Sequence, residues 1–473
     1  MRHMDGTIKY SCDKDLEILY EADCVIVGGG PSGCAAAIKA ARHGLNVLLV
    51  EQYGFAGGAA VSQLVPVVLS QNGKDFPAIW HEWMLEMKRI GRVREMVRGE
   101  QQEHWFSTTF APECAKHAWD NLLTSSGVHI LFHAQVIDVL KSDSKLDGIV
   151  ISTRGGGYAV LGKVFIDCTG DGTLSFLAGE GYCSGGIAGP VSQACTKMFR
   201  LINATKPEFV LNDQNTARLI DDFHRVVETG EFSSPIITSG YILKYILGRA
   251  GKQLPDSTLL LNTARMINVD SLDPWQLSLA EQEGRKAAAE CADFFIKYVP
   301  GCQKAEFFDT SFELGVRASR RIRCRYELTI EDILSFRSFD DAVAIGSWEI
   351  DVHSPDTYDY GVVLRSSERY DAFRAQVVAG NCYQVPLRSL VVRNTRNLLV
   401  AGRCIGADVE TQGSIRIQQT CMSTGEAAGI AAVLAIRDQI DCKAINGCVV
   451  RQILSDESSM IQPAFLILEN CLH

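Results

Sequence analysis

Gly28, Gly30 and Gly33 carry the GxGxxG spacing inside VIVGGGPSGCAAAIKAARHGLNVLLVE, and Glu51 closes that segment about 20 residues later. Such a set suits the pyrophosphate and ribose of a dinucleotide. Gly28 permits a tight turn, Gly30 lets backbone approach a pyrophosphate, and Gly33 lets a helix touch a strand. A helix N-terminus offers N–H groups and the positive end of a dipole to phosphates. Glu51 can accept hydrogen bonds from ribose hydroxyls. A second set lies far along the chain. Asp351 and His353 stand two apart in WEIDVH, so on a strand they share a face, where the acid orients the imidazole as a general base. A histidine there also fits a structural role. Arg317, Arg320 and Arg321 suit the grip of a carboxylate or phosphate, or ion pairs with Glu313, Glu327 and Asp332. Arg317 and Arg321 share a face of either a helix or a strand.

The elements that must hold these residues follow from periodicity. Residues 25–27 and 47–50 read as buried strands, and 35–41 as a helix of small residues that packs closely on a sheet. Residues 76–98 read as one amphipathic helix with Ile79, Trp83, Met87 and Ile90 along one face. A second helix spans 112–126, started by Pro112. Strands are expected over 127–142 and 148–170, with a hairpin turn at 155–157. Longer loops and mixed patterns fill 190–385, and helical character returns within 397–435.

Composition narrows the class. The chain has 473 residues, 47% of them apolar and 22% charged, which is ordinary for a globular enzyme. Its net charge of −10 argues against nucleic acid or an anionic membrane as partner. No apolar run reaches the length of a membrane span, and the first residues lack the apolar core of a signal peptide. The 16 cysteines include no CxxC pair, so no zinc, iron–sulfur or dithiol site is expected. They read as buried thiols in a reducing cytoplasm.

Four separated blocks carry a family resemblance: VIVGGGPSG with Glu51, EQYGFAGGAA (51–60), VFIDCTGDG (164–172) and LLVAGRCIGADVETQGSIRIQQTCMSTGEAAG (398–429). Their order and spacing resemble the FAD-dependent oxidoreductases with a glutathione-reductase-like FAD domain. The nearest subgroup is the bacterial family labelled simply FAD-dependent oxidoreductase, to which residues 312–333 and 348–356 are also similar. The resemblance implies FAD as cofactor. It places Gly28, Gly30, Pro31, Ser32 and Gly33 at the pyrophosphate, and Glu51 with Gln52 at the ribose. Gly57, Gly58 and Ala59 form the loop towards the flavin side, and Val136 lies where such folds set backbone against adenine. Thr169, Gly170 and Asp171 end another strand, where Asp171 serves a ribityl hydroxyl or caps the following helix. Gly402 and Arg403 end a later strand. Many related flavoproteins carry an acid at the Arg403 position. Ile417 and Gln418 open the last long helix, whose N–H groups face the flavin ring. Cys421, one turn in, reads as a thiol of lowered pKa or as packing beneath the flavin.

The expected fold class is α/β: a Rossmann-like FAD-binding domain with an interleaved α+β substrate domain. Residues 20–75, 105–185 and 386–440 form the discontinuous FAD part, and 186–385 the substrate or cap domain. Residues 76–104 are read as a helical insertion and 441–473 as a C-terminal helical extension. There is one dinucleotide fingerprint, because Gly185, Gly186 and Gly189 lack a strand–turn–helix context. A dedicated NADPH domain is therefore not expected. With no cysteine pair near the flavin a disulfide reductase is not expected, and the GWxWxIP pattern of flavin halogenases is missing. The expected function is removal of a hydride from a small polar organic substrate onto the flavin, with His353, Asp351 and Arg317 at the reaction. The alternatives are a flavin monooxygenase reduced by external NAD(P)H and a flavin-carrying electron-transfer subunit. A cytoplasmic protein, no metal and a possible homo-oligomer complete the expectation.

Overall fold

The computed structural model describes residues 15–457 apart from 92, 99–105, 187–188, 190, 207–209, 249–251, 255–257 and 359–367. Its main sheet has seven strands. Strands His129–Leu131, Val47–Val50, Ile18–Val27 and Gly156–Asp167 lie side by side and parallel. Cys24, Val25 and Ile26 are fully buried, as a parallel strand covered on both faces requires. The twelve-residue strand Gly156–Asp167 serves two partners along its other edge. Its first half pairs antiparallel with Lys145–Thr153, which continues the meander to Gln135–Ser142. Its last residues pair in parallel with Leu398–Val400.

The register decides where the site forms. Val50, Val27, Asp167 and Val400 stand in one row across the sheet. The segments that follow them (Gly28, Glu51, Thr169–Asp171 and Gly402–Arg403) therefore leave the same carboxyl edge together, where ligands bind in open α/β sheets. This mixed sheet with its crossover helices is a Rossmann-like α/β fold.

The helix Pro31–Arg42 lies against the helix Gln418–Arg437 at unusually close range. A Cβ added at Gly425 would stand 2.2 Å from the Ser32 carbonyl oxygen, and one at Gly429 would stand 2.5 Å from that of Ala36. Glycines four apart on one helix face allow this backbone approach.

A second sheet is wholly antiparallel, with Cys195–Ile202 between Leu259–Met266 and Glu306–Thr310. Helices Asp213–Thr229 and Pro274–Tyr298 cover it, burying Phe199, Phe223, Phe294 and Phe295 in a core of its own. A three-stranded sheet joins Val67–Ser70, Phe106–Phe110 and Val93–Arg98.

Several local expectations need correction. The helix expected over 76–98 spans only Ala78–Ile90. Gly91, at φ 84°, takes the left-handed C-cap that stops it, and Val93–Arg98 is a strand paired with Phe106–Phe110. The insertion at 76–104 is thus part helix and part strand, with 92 and 99–104 outside the described residues. The strand expected over 127–142 is two strands, broken where His133 adopts φ 55°. The hairpin turn falls at 154–155, because Thr153 pairs with Gly156. Residues 348–352 belong to no strand, the nearby one being Ala342–Gly346. Residues 447–457 are helical, and 458–473 lie outside the described residues.

Candidate functional site

The glycine turn shows why each glycine is there. Gly28 sits at φ 100°, and a Cβ on it would lie 2.5 Å from the Cys168 carbonyl oxygen. A Cβ on Gly33 would lie 1.8 Å from the Gly28 carbonyl oxygen. Gly30 differs: a Cβ there would meet nothing nearer than 3.8 Å, the Gly58 Cα. The protein gives Gly30 no steric reason to be glycine, yet it is the N-cap of Pro31–Arg42 and no side chain caps that end. Pro31 starts the helix without spending a needed N–H, and no acid stands in the first turn. Space beside an uncapped helix N-terminus fits a phosphate. Gly57 and Gly58, at φ 116° and 50°, press the following loop onto the turn. The Gly57 N–H donates to the Gly29 carbonyl at 2.8 Å, and Ala59 sits in the short turn Gly58–Ala60.

Glu51 is buried. Its carboxylate accepts from the Gly29 N–H at 2.6 Å and the Tyr53 N–H at 2.8 Å. Burial raises its pKa, and these backbone donors oppose the rise. Gln52 beside it is exposed. Val136 is buried as the second residue of the strand Gln135–Ser142, near its start.

Asp167 organises the turn after its strand. The fully buried carboxylate accepts from the Thr169 hydroxyl at 2.7 Å, the Thr169 N–H at 3.1 Å and the Ser175 N–H at 2.7 Å. Asp171 does not cap the next helix, whose N-cap is Gly172. It accepts instead from the Ser319 hydroxyl at 2.5 Å and from Arg403 Nη2 at 2.6 Å. Burial opposes its ionisation, but Arg403 and Ser319 hold its carboxyl below the usual range. Gly170, at φ 73°, leaves room for that arginine, since a Cβ there would meet Arg403 Nε at 2.7 Å. Gly402, at φ 84°, leaves room for the Ser32 hydroxyl in the same way.

Ile417 is the N-cap of Gln418–Arg437, again with no capping side chain. Gln418 donates to the Val65 and Val67 carbonyls at 2.9 and 2.8 Å, while among the described residues its own buried Oε1 has no partner. Cys421 is buried, and burial pushes its thiol up to about 12. It is not an acidic thiol.

Arg416, next to that N-terminus, joins the second set of residues. Its Nη2 donates to Asp351 Oδ2 at 2.9 Å and to the Asp351 carbonyl at 3.0 Å. Asp351 Oδ1 stands 3.1 Å from His353 Nε2. The two side chains meet without the strand expected to align them. Burial first, and then Arg317, push the imidazole down to about 4, so it is neutral at pH 7. The near-neutral pKa expected of a general base is not found. Arg317 and Arg321 share no face. Arg317 Nη1 donates to the Ala194 carbonyl at 2.6 Å and Thr196 Oγ1 at 3.0 Å, whereas Arg321 donates to the Gly185 carbonyl. The acids offered as their partners are engaged elsewhere: Glu313 by Tyr53, Ser62 and Gln63, Glu327 by Arg323 and Arg393, and Asp332 by Arg337. Gln412 links the two clusters, its Nε2 standing 3.4 Å from the Arg317 carbonyl and 3.3 Å from that of Arg403.

A family model described as FAD dependent oxidoreductase matches residues 23–454. The chain belongs to that family. FAD is therefore the cofactor of this FAD dependent oxidoreductase, and the protein is an enzyme. Among solved structures it is similar to a geranylgeranyl bacteriochlorophyll reductase-like protein from Thermoplasma acidophilum, with 12% identity, 94% of this chain and 84% of that one covered, and a TM-score of 0.43. It is also similar to p-nitrophenol 4-monooxygenase from Pseudomonas putida, with 10% identity, 94% and 89% covered, and a TM-score of 0.44. Among the described residues, no helix of this oxidoreductase is long and apolar enough to cross a membrane.

Sequence reasoning missed Asp167, Ser319, Gln412 and Arg416. Asp167 had a signal, a lone acid ending the apolar run VFID. Buried acids are rarely left unpaired. The other three stand in polar stretches, and only the fold shows what they touch.

Proposed function

We propose that this FAD dependent oxidoreductase removes a hydride from a small polar organic substrate. FAD, when bound, supplies the hydride acceptor. Gly28, Gly30, Pro31, Ser32 and Gly33 would hold its pyrophosphate by backbone N–H groups. Glu51 and Gln52 would serve the ribose, with Val136 near the adenine. Gly57, Gly58, Ala59, Thr169, Gly170, Asp171, Gly402 and Arg403 would line its path, and Ile417 and Gln418 would meet the ring. In this reading residues 186–385 supply the substrate side.

The observation that carries the proposal is the Asp351–His353 contact at 3.1 Å, with Asp351 also held by Arg416, the residue just before the N-cap of the last helix. Ionised Asp351 selects the tautomer with the proton on Nε2 and leaves Nδ1 as the acceptor. His353 would take the substrate's proton there as the hydride leaves. Arg317 would orient the substrate. An anaerobic metabolite panel, scored by flavin bleaching, identifies the substrate. His353→Asn should then keep the bound flavin and slow its reduction by about 10²–10⁴-fold, the usual worth of general base catalysis. An unchanged rate refutes the assignment. NADH should bleach the flavin far more slowly than the substrate does; fast, saturable bleaching by NADH would favour a monooxygenase.

A further inference from the structure

Two partly buried guanidiniums, Arg416 and Arg317, stand in the surroundings of Asp351, and only one of them is paired with it. Arg416 is bound to Asp351, which already holds His353. Among the described residues Arg317 has no carboxylate within salt-bridge distance, and its hydrogen bonds go to neutral oxygens. Its side chain is nevertheless partly withdrawn from solvent, and desolvation and the like charge of Arg416 push it down to about 10. Among the described residues the buried Arg416 Nε has no acceptor. A guanidinium carries five donors in a planar fork that matches a carboxylate or phosphate, and a buried cation without a counter-charge is costly. Arg265 adds further positive charge beside Arg317 while Asp351 is the carboxylate that opposes it, so the cluster is short of negative charge.

We infer that the substrate of this enzyme is an organic anion, whose carboxylate or phosphate is held by Arg317 and Arg416 beside His353. This rests on the placement of the substrate proposed above and adds its chemical class. It also explains the His353 environment. The like charge of Arg317 is the second cause lowering that imidazole, and an anion seated on Arg317 would cancel it. Substrate binding itself would make His353 a better base.

The test titrates the FAD-loaded enzyme with malonate, inorganic phosphate and the neutral malonamide, read by calorimetry and by the flavin difference spectrum. Malonate or phosphate should bind saturably, and the tighter of the two names the anionic group; malonamide should not bind. Arg317→Gln should weaken the anion by about tenfold or more, as expected on losing a charged hydrogen bond. Arg317→Lys, which keeps the charge without the fork, should lie between. If malonamide binds as well as malonate, or neither anion binds, the inference is wrong. Release of flavin into the filtrate by phosphate would put these arginines on the cofactor's own phosphates and would also overturn it. Should Arg317→Gln lose its flavin, the malonate-to-malonamide ratio of the unaltered enzyme decides. Because the readout is equilibrium binding, it stands apart from the base assignment. Anion binding together with normal reduction by His353→Asn would end the latter and keep the former.

Discussion

Gly425→Ala sets helix propensity against tertiary packing, and the two predict opposite signs. In an isolated helix the change gains about 1 kcal/mol. Here the new methyl would stand 2.2 Å from the Ser32 carbonyl oxygen and 2.8 Å from its Cα. Both are backbone atoms of the neighbouring helix, so no rotamer change relieves the contact. The helices must part by roughly 1 Å to reach ordinary van der Waals separation. Overpacking costs about 1–3 kcal/mol, and a backbone clash belongs at the upper end, leaving a net loss of about 1–2 kcal/mol. At about 2.1 cal/mol/K of unfolding entropy per residue, a chain of 473 residues loses about 1 °C per kcal/mol. Gly425→Ala should therefore melt about 1–2 °C lower by calorimetry, and Gly425→Val lower still. FAD affinity should fall as well, because the displaced helix begins at Pro31 and carries the Ser32 and Gly33 N–H groups. A variant that melts at or above the parent, with FAD affinity unchanged, would refute the close-packing argument.

Glu51→Ala should weaken FAD by about 1–3 kcal/mol, the cost of removing a charged acceptor, measured by flavin fluorescence on dilution; equal retention would count against the ribose role. The pH dependence of stability carries a sign. The His353 imidazole is held down to about 4 in the fold against 6.5 when free, so only the unfolded chain takes up its proton in that window. This stability is complete above about pH 6.5 and is lost as the pH falls towards 4. Denaturant midpoints should fall across that range, and His353→Asn should flatten the slope; identical slopes in both proteins would reject it.

The glycine turn and the helix it opens were legible in the chain because their signals are local. The turn glycines lie within six residues, their apolar strand precedes them, and Pro31 opens a helix of small side chains. Each answers to a steric or dipolar demand of its own segment. The close approach of Gly425 and Gly429 to that helix is written as a small-residue pattern, but the pattern does not name its partner. Helix ends are less legible: the apolar periodicity runs to residue 90 without marking a stop, and the left-handed cap at Gly91 ends the helix. What only the tertiary structure decided is the meeting of charges. Asp171 and Arg403 pair across 232 residues, and Arg416 finds Asp351 across 65. Period and propensity describe neighbours along the chain. These pairs exist because Asp167 and Val400 fall in one row of the sheet and because Arg416 ends the segment that leads into the last helix. The low pKa of His353 is likewise a property of burial and of Arg317 beside it, which no spacing in the chain could set.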